Sequence, residues 1–196
     1  MELSIFLSTV AGLGYTLAYL EYNRGVINGG TRPNAATWAI WSAISLVSAG
    51  SYFSATGDFW KSLLPAINIV LCIGTFVLST ALGKFRKLDA TDWIALGVGF
   101  VAVMVWGIWK SASYANLVVQ LAIMIGFFPT WRAIWRTGSC ERSCPWWIWT
   151  ISYCISLIVV ILRWKEQWVD LAHPVNGTLL HASVPILLVW RLRATR

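Results

Sequence analysis

Long apolar stretches, broken at short intervals by clusters of Lys, Arg, Gly and Asn, run through the whole chain. A helix needs about 20 apolar residues to cross the ~30 Å hydrocarbon core of a bilayer. The pattern predicts seven such spans, over residues 4–22, 35–54, 62–82, 93–109, 115–131, 145–162 and 172–190. The stretches do not alternate apolar and polar residues at period two, as the strands of a transmembrane β-barrel do. We therefore expect an all-α integral membrane protein with seven transmembrane helices.

The composition agrees with a chain whose main partner is the lipid bilayer. Hydrophobic residues make up 58% of the sequence and charged residues 12%, against roughly 45–50% and about 25% in soluble domains. The first span begins almost at the N-terminus, but Glu2 is the only early charge and no basic segment precedes the span. We therefore expect a retained helix and not a cleaved signal peptide.

The basic residues predict the orientation of the chain. Seven spans place the two termini on opposite sides of the membrane. The basic residues on the N-terminal side are Lys61, Lys110, Arg163 and Lys165. Those on the other side are Arg24, Arg32, Lys84, Arg86, Lys87, Arg132, Arg136, Arg142, Arg191, Arg193 and Arg196. Because cytoplasmic loops carry the excess of Lys and Arg, the N-terminus is expected outside and the C-terminus in the cytoplasm. The net charge of +7 is then a topology signal, and no nucleic-acid partner is expected.

An internal repeat divides the chain. A shift of 108 positions, without gaps, superposes the first three spans on the last three. The identical pairs include Arg24/Arg132, Gly30/Gly138, Trp38/Trp146, Ile40/Ile148, Trp41/Trp149, Ser48/Ser156, Trp60/Trp168, Asn68/Asn176 and Leu71/Leu179. We expect a first three-helix repeat in residues 1–88, a linker helix in 89–112 and a second repeat in 113–196. The linker makes the repeats parallel (3+1+3), an architecture in which transporters bind substrate between the repeats near mid-membrane.

One segment of the second repeat resembles a known superfamily. Residues 128–135 (FPTWRAIW), followed by Glu141 and by residues 145–147 (PWW), resemble the proline-bearing motif of the PQ-loop superfamily. That superfamily includes the SWEET and half-sized SemiSWEET sugar transporters and the lysosomal cystine carriers. The resemblance implies that Pro129 and Pro145 act as hinges. The first repeat departs from the pattern, with Glu21 and Thr37 at the equivalent positions, and the literal Pro-Gln pair is absent.

Two shorter segments leave the solute open. Residues 32–38 (RPNAATW) are similar to poorly characterised bacterial members of the superfamily, and residues 146–149 (WWIW) resemble the bacterial nicotinamide riboside transporters, which share the layout. A sugar is therefore one option among several. Short loops and the absence of a targeting segment favour a bacterial cytoplasmic (inner) membrane.

The two matching asparagines are the first candidates for solute binding. An amide in hydrocarbon is costly unless something hydrogen-bonds it, and the resemblance to SWEETs implies that Asn68 and Asn176 line a central pocket. The alternative is that they only hold neighbouring helices together. Asn68 also begins a polar stripe that continues at Cys72, Thr75 and Ser79, on one face of a helix.

Further pocket candidates lie on the second, fifth and sixth spans. They are Trp41 and Ser48 in the first repeat, and Gln120, Trp149, Tyr153 and Ser156 in the second. Aromatic faces opposite hydroxyls suit a sugar ring or a nucleobase, and ordinary packing of the aromatic residues is an equal alternative. His173 and His181 could couple a proton to transport, since histidine titrates near neutral pH.

No catalytic motif appears in the chain. There is no His-Glu-x-x-His, no Gly-x-Ser-x-Gly and no Gly-rich phosphate loop, so we expect no enzyme and no cofactor. Cys140 and Cys144 share a loop, but two thiols do not make a zinc site and no metal is expected. We expect a transporter that moves a small neutral polar solute, sugar-like or nucleoside-like, by alternating access and facilitated diffusion, because no charge lies deep in a span. The alternative is a non-transporting scaffold or receptor with the same fold, and a homo-oligomer stays open.

These two hypotheses predict different interiors. A transporter predicts a central cavity lined by both Asn68 and Asn176. A scaffold predicts that neighbouring side chains seal both amides and leave no water-sized cavity between the repeats.

Overall fold

The computed structural model describes residues 1–31, 33, 35–83, 87–88, 90–137 and 141–194. These residues form seven long α-helices and one short 3₁₀ helix. The helices are α1 (Glu2–Ile27), α2 (Ala35–Thr56), α3 (Phe59–Ala81), α4 (Ala90–Trp109), α5 (Ala112–Thr137), α6 (Ser143–Leu162) and α7 (Ala172–Ala194), with the 3₁₀ helix (Trp168–Leu171) before α7. Each predicted span corresponds to one helix, and α3 ends one residue before its predicted span. The all-α class is confirmed.

Some residues used in the sequence predictions lie outside the described part of the chain. They are Arg32, Asn34, Lys84, Arg86, Gly138, Cys140 and Arg196.

Five of the described helices, α1, α3, α4, α5 and α6, are long and apolar enough to cross a membrane. Their outward faces expose large apolar side chains such as Leu13, Val70 and Phe100, each more than 60% exposed. Such surfaces require contact with lipid, and the chain is an integral membrane protein. Helices α2 and α7 are as long but less apolar. They carry buried polar residues on their inward faces, for example Ser45 on α2 and His181 on α7.

Six of the helices pack in a closed cycle. The contacts run from α1 to α3, α2, α5, α7, α6 and back to α1, and α4 lies outside the cycle against α5 and α2. Exchanging α1, α2 and α3 for α5, α6 and α7 turns every contact of this cycle into another contact of the cycle. The first three helices and the last three are therefore packed in equivalent ways.

Aromatic residues fill the contact between α1 and α6. On α1, Tyr15, Tyr19 and Tyr22 recur at spacings of four and three, so they share one helix face. They meet Trp146, Trp149 and Tyr153 of α6, with the Tyr19 and Trp149 rings 4.9 Å apart and nearly perpendicular. Such edge-to-face pairs are each worth about 0.5–1.5 kcal/mol beyond burial of their area.

Two ion pairs connect the two halves at the end of the molecule where α3 begins and α6 ends. The Asp58 carboxylate accepts from the backbone N–H groups of Trp60 (3.0 Å) and Lys61 (3.3 Å), which caps α3. It also accepts from Arg163 Nε at 2.7 Å. The second pair joins Lys61 Nζ to Asp170 Oδ2 at 2.5 Å, and both side chains are buried. Each pair links a residue from the first half of the chain to one from the second.

The environment of Asp58 favours its ionised form. Burial raises the pKa of this carboxyl, but the hydrogen bond and positive charge of Arg163, together with the two backbone N–H groups, lower it by more. The net pKa lies below the usual value of an aspartate. The Asp58–Arg163 pair is therefore charged at neutral pH.

We predict that Lys61→Met destabilises the protein by about 3–5 kcal/mol, because it leaves the buried Asp170 carboxylate without its cation. Adding Asp170→Asn removes that charge and should restore most of the loss. Thermal unfolding of the detergent-solubilised variants measures both effects, with Lys165→Met, at an exposed position, as control. A single variant as stable as the control would mean that the Lys61–Asp170 pair does not hold this end closed.

Candidate functional site

A small cavity lies in the centre of the helix cycle. Its lining residues come from all six helices of the cycle: Tyr15, Tyr19, Trp41, Ile44, Ser45, Asn68, Cys72, Ile123, Phe127, Tyr153, His173 and His181. The cavity has a volume of about 40 Å³, which is room for about three water molecules. None of the lining residues is an Asp, Glu, Lys or Arg, so the cavity is polar without a fixed charge.

The amide of Asn68 organises the polar side of this cavity. Its Oδ1 accepts hydrogen bonds from the hydroxyls of Tyr15 (2.9 Å) and Tyr19 (2.6 Å), and its Nδ2 donates to Ser45 Oγ (2.8 Å). The Tyr15 and Tyr153 hydroxyls are 3.1 Å apart. Since Tyr15 donates its proton to Asn68, Tyr153 is the donor in that pair. One amide thus connects side chains from α1, α2, α3 and α6.

Asn176 lies in a different environment. Its Nδ2 donates to the side-chain oxygen of Gln120 at 3.0 Å and to the Gln120 carbonyl at 3.2 Å, which joins α7 to α5. Neither residue is among those lining the cavity. The structure therefore brings Asn176 and Gln120 together, but it does not bring Asn176 to the cavity that Asn68 lines. One asparagine therefore lines a cavity, as expected for a transporter, and the other is sealed by a neighbouring side chain, as expected for a scaffold.

Some of the other predicted pocket residues line the cavity and others lie outside it. Trp41 and Tyr153 line the cavity. Trp149 is buried beside it, with its ring centroid 4.9 Å from that of Tyr19 and its indole N–H without a partner. Ser48 and Ser156 are buried outside the lining. In the polar stripe of α3, Asn68 and Cys72 reach the cavity, while Thr75 and Ser79 are buried farther along the helix.

Two glycines determine where the aromatic walls lie. A Cβ at Gly126 of α5 would be 2.6 Å from Trp41 Nε1, and a Cβ at Gly177 of α7 would overlap the ring of Tyr153. Real Cβ atoms do not approach other atoms this closely, so both aromatic side chains occupy space that only glycine leaves free. A glycine within an apolar stretch is a weak sequence signal, and the sequence pattern did not reveal these two contacts.

Both histidines of α7 lie at the cavity. His173 is only 4% exposed, and neither of its ring nitrogens has a hydrogen-bond partner. His181 Nδ1 lies 2.8 Å from the carbonyl oxygen of Gly177. A carbonyl only accepts, so Nδ1 carries the proton and Nε2 of the neutral ring is an acceptor. Nearly all buried polar atoms have partners in folded proteins, so the two unpartnered ring nitrogens of His173 are an unusual feature of this interior.

The predicted hinge prolines lie on helices. Pro129 is inside α5, where it removes a backbone hydrogen bond, and Pro145 lies in the first turn of α6, where proline is tolerated. Pro65 inside α3 and Pro185 inside α7 are two further prolines of this kind. The sequence prediction of hinges did not include them.

A carboxyl group that sequence reasoning did not place in a site joins the halves at the opposite end from the ion pairs. Glu141 precedes α6, and its carboxyl accepts from the Tyr22 hydroxyl (3.4 Å) and from Trp146 Nε1 (3.2 Å). Burial raises the pKa of Glu141 to about 8, and the two hydrogen bonds only partly offset this. In the sequence, Glu141 is a single acidic residue beside an arginine in a short loop, within the segment that resembles the PQ-loop superfamily.

Comparisons of the chain with models of known protein families and with curated proteins give no match. Among the described residues, no three His, Cys, Asp or Glu side chains are placed to hold a metal ion. The function therefore has to be inferred from the central cavity and its surroundings.

We predict that Gly177→Ala lowers the stability by about 1–3 kcal/mol, because its methyl group forces the Tyr153 ring out of position. The matched control is Gly74→Ala on α3, where a Cβ meets no atom within 4 Å. That change should be neutral or stabilise the helix by up to ~1 kcal/mol. Thermal unfolding in detergent compares the two, and equal melting temperatures would contradict the packing of Tyr153 against Gly177.

We also predict a pH dependence that Glu141 causes. Its pKa is raised on folding, so its contribution to stability is fully present below the usual glutamate value and is lost as the pH rises through about 8. The melting temperature should therefore fall as the pH rises from about 5 to about 8 and level off above that, and this fall should be smaller in Glu141→Gln. Identical pH profiles for the two proteins would show that Glu141 does not titrate in this range.

Proposed function

We propose that the chain is a membrane transporter that moves a small, neutral, polar solute by alternating access. The two moving parts would be the three-helix halves in residues 1–88 and 113–196, with α4 as the linker between them. The observation that carries the proposal is the central cavity, to which every helix of both halves contributes a side chain. A site placed at the interface of two repeats becomes accessible from either side when one repeat rocks against the other.

The symmetric cycle of helix contacts supports this arrangement. Equivalent packing of α1–α3 and α5–α7 is what two copies of one three-helix unit would produce. In the proposed layout all seven helices cross the membrane, with the N-terminus outside and the C-terminus in the cytoplasm. The resemblance of residues 128–135 to the PQ-loop superfamily adds to the proposal, and a bacterial inner membrane is the proposed location.

The lining of the cavity favours a neutral solute. A charged solute would need a counter-charge in this low-dielectric interior, and the lining residues are aromatic, hydroxyl, amide, thiol, imidazole and aliphatic groups. A space for about three water molecules is too small for a sugar ring or a nucleoside. Transport of such a solute therefore requires the two halves to move apart.

The two ends of the molecule would act as gates. Two ion pairs, Asp58–Arg163 and Lys61–Asp170, join the halves at the outer end of the proposed topology. At the inner end the halves are joined by Glu141 and its two uncharged donors. Opening outward would break two ion pairs, whereas opening inward would break hydrogen bonds to one carboxyl.

A scaffold or receptor is the second candidate function, and one observation favours it. The Asn68 amide is already occupied by Tyr15, Tyr19 and Ser45, and Asn176 is occupied by Gln120. Amides sealed in this way can hold helices together without touching a solute.

Saturable uptake into proteoliposomes separates the two functions. We would screen sugars, nucleosides, nucleobases, vitamins and amino acids, first for thermal stabilisation and then for uptake. A solute at a hundred times its Kd should add ~2.7 kcal/mol to the stability. Ser45→Val fills part of the cavity and should reduce uptake at least about tenfold.

The matched control is Ser48→Val, because Ser48 is buried on the same helix but does not line the cavity. Solute uptake by the Ser48→Val variant should stay within a factor of about three of the uptake by the wild type. No stabilisation and no saturable uptake across the whole panel would favour the scaffold.

A further inference from the structure

Helices α5 and α7 carry exposed apolar side chains on faces that lie side by side. Phe128 and Trp135 are seven residues apart on α5, and Ile186 and Trp190 are four apart on α7, so each pair shares one helix face. All four side chains are about half exposed. The two tryptophan rings stack with their centroids 5.1 Å apart and 18° between the ring planes. The two faces therefore form one surface, which we call the α5–α7 face.

The tryptophan pair lies toward the ends of both helices. Closer to the centre, Trp131 Nε1 donates to Ser183 Oγ at 2.7 Å, which holds α5 against α7. Trp135 lies one turn beyond Trp131, and Trp190 lies two turns beyond Ser183. Tryptophan in membrane proteins collects at the level of the lipid headgroups. The stacked pair therefore marks the membrane interface, and the rest of the α5–α7 face lies at the depth of the acyl chains.

Arginines surround the tryptophan pair at this end. Arg193 follows Trp190 by three residues and so lies on the same face of α7. On α5, Arg132 precedes Trp135 by three residues, and Arg136 is one turn beyond Arg132. These three arginines are exposed. Neither helix contains an Asp or a Glu, so the charge that the two helices place at this end is positive.

The order of these groups matches the order of groups in a phospholipid. Apolar side chains come first, then the interfacial aromatic pair, and then guanidinium groups, which bind phosphate through paired hydrogen bonds. A free phosphate ion would leave the apolar part of the face uncovered. A zwitterionic lipid would leave the positive charge without a full counter-charge. Basic residues next to a membrane surface attract anionic lipids, so the charge favours a lipid with net negative charge.

The first three helices have no counterpart of this surface. The positions 108 residues before the tryptophan pair hold Ile27 and Leu82, and the position that corresponds to Arg136 holds Asn28. The arrangement therefore belongs to the second half of the chain alone. It is not a general consequence of the repeated packing of the helices.

We propose that the α5–α7 face binds an anionic phospholipid. One acyl chain lies along Phe128 and Ile186, and Arg136 and Arg193 hold the headgroup phosphate. In the proposed topology this lipid belongs to the cytoplasmic leaflet. None of these residues lines the central cavity, so the inference requires a membrane-spanning chain but not the proposed transport function.

The test is a titration of the detergent-solubilised full chain with phosphatidylglycerol and with phosphatidylcholine of the same acyl chains, followed by native mass spectrometry. The wild type should bind phosphatidylglycerol at least about tenfold more tightly. Changing both Arg136→Gln and Arg193→Gln should lower that affinity by about 25-fold, since each basic residue contributes about fivefold. Binding of phosphatidylcholine should stay the same. Trp190→Leu should weaken the binding of both lipids.

Two matched variants control for charge and for loss of an aromatic ring. Arg24→Gln with Arg142→Gln removes two positive charges on the same proposed side of the membrane, at positions on and beside α1. Its affinity for phosphatidylglycerol should stay within about threefold of the wild type. Trp147→Leu removes a half-exposed ring near the start of α6 and should leave binding of both lipids unchanged. Melting temperatures show that the variants are folded.

Three results would overturn the inference. The first is equal affinity of the wild type for the two lipids, which would mean unselective contact with the bilayer. The second is an equal loss of phosphatidylglycerol binding in the two double variants, which would mean that only the net charge matters. The third is a dimer that Trp190→Leu abolishes in a protein without lipid preference, because a second copy would then cover this face. Uptake of solutes is measured separately, so failure of the transport proposal would leave the lipid result intact.

Discussion

The amide of Asn68 has to be satisfied inside the protein, because hydrocarbon offers no partner for it. Side chains of four helices form the hydrogen-bond network around it. Tyr15 and Tyr19 of α1 donate to its oxygen, Ser45 of α2 accepts from its nitrogen, and Tyr153 of α6 joins through Tyr15. The aromatic contact between α1 and α6 and the position of the central cavity both depend on this network. Because these groups share donors and acceptors, removing one member would change the hydrogen bonding of the others.

The two ends of the molecule are held together by different chemistry. At one end, two ion pairs connect the halves, with Asp58 ionised beside Arg163 and its pKa below the usual value. At the other end, a carboxyl whose pKa lies near 8 is held by a hydroxyl and an indole N–H. A shift toward alkaline pH therefore weakens one end and leaves the other unchanged. Salt has little access to the Lys61–Asp170 pair, because both side chains are buried.

The helices were predictable from sequence because apolar stretches of spanning length have few alternatives. The importance of Asn68 was also predictable, since an amide in such a stretch needs a partner. The hydrogen-bond partners of Asn68 were not predictable. The 108-residue shift that aligns Asn68 with Asn176 does not align the residues that surround them in the structure. Asn68 meets two tyrosines, whereas Asn176 meets Gln120. His173 and Glu141 become distinctive only through burial and neighbours, which depend on contacts between residues distant in the chain.

The glycines that admit the aromatic walls belong to one half only. Gly126 and Gly177 have Ala18 and Ile69 as their counterparts 108 positions earlier. Two identical halves would form a cavity whose two sides are equivalent. The absence of a Cβ atom at these two glycines lets Trp41 and Tyr153 lean toward α5 and α7. The two sides of the cavity are therefore not equivalent, and under the proposed function such a site would distinguish one end of a solute from the other.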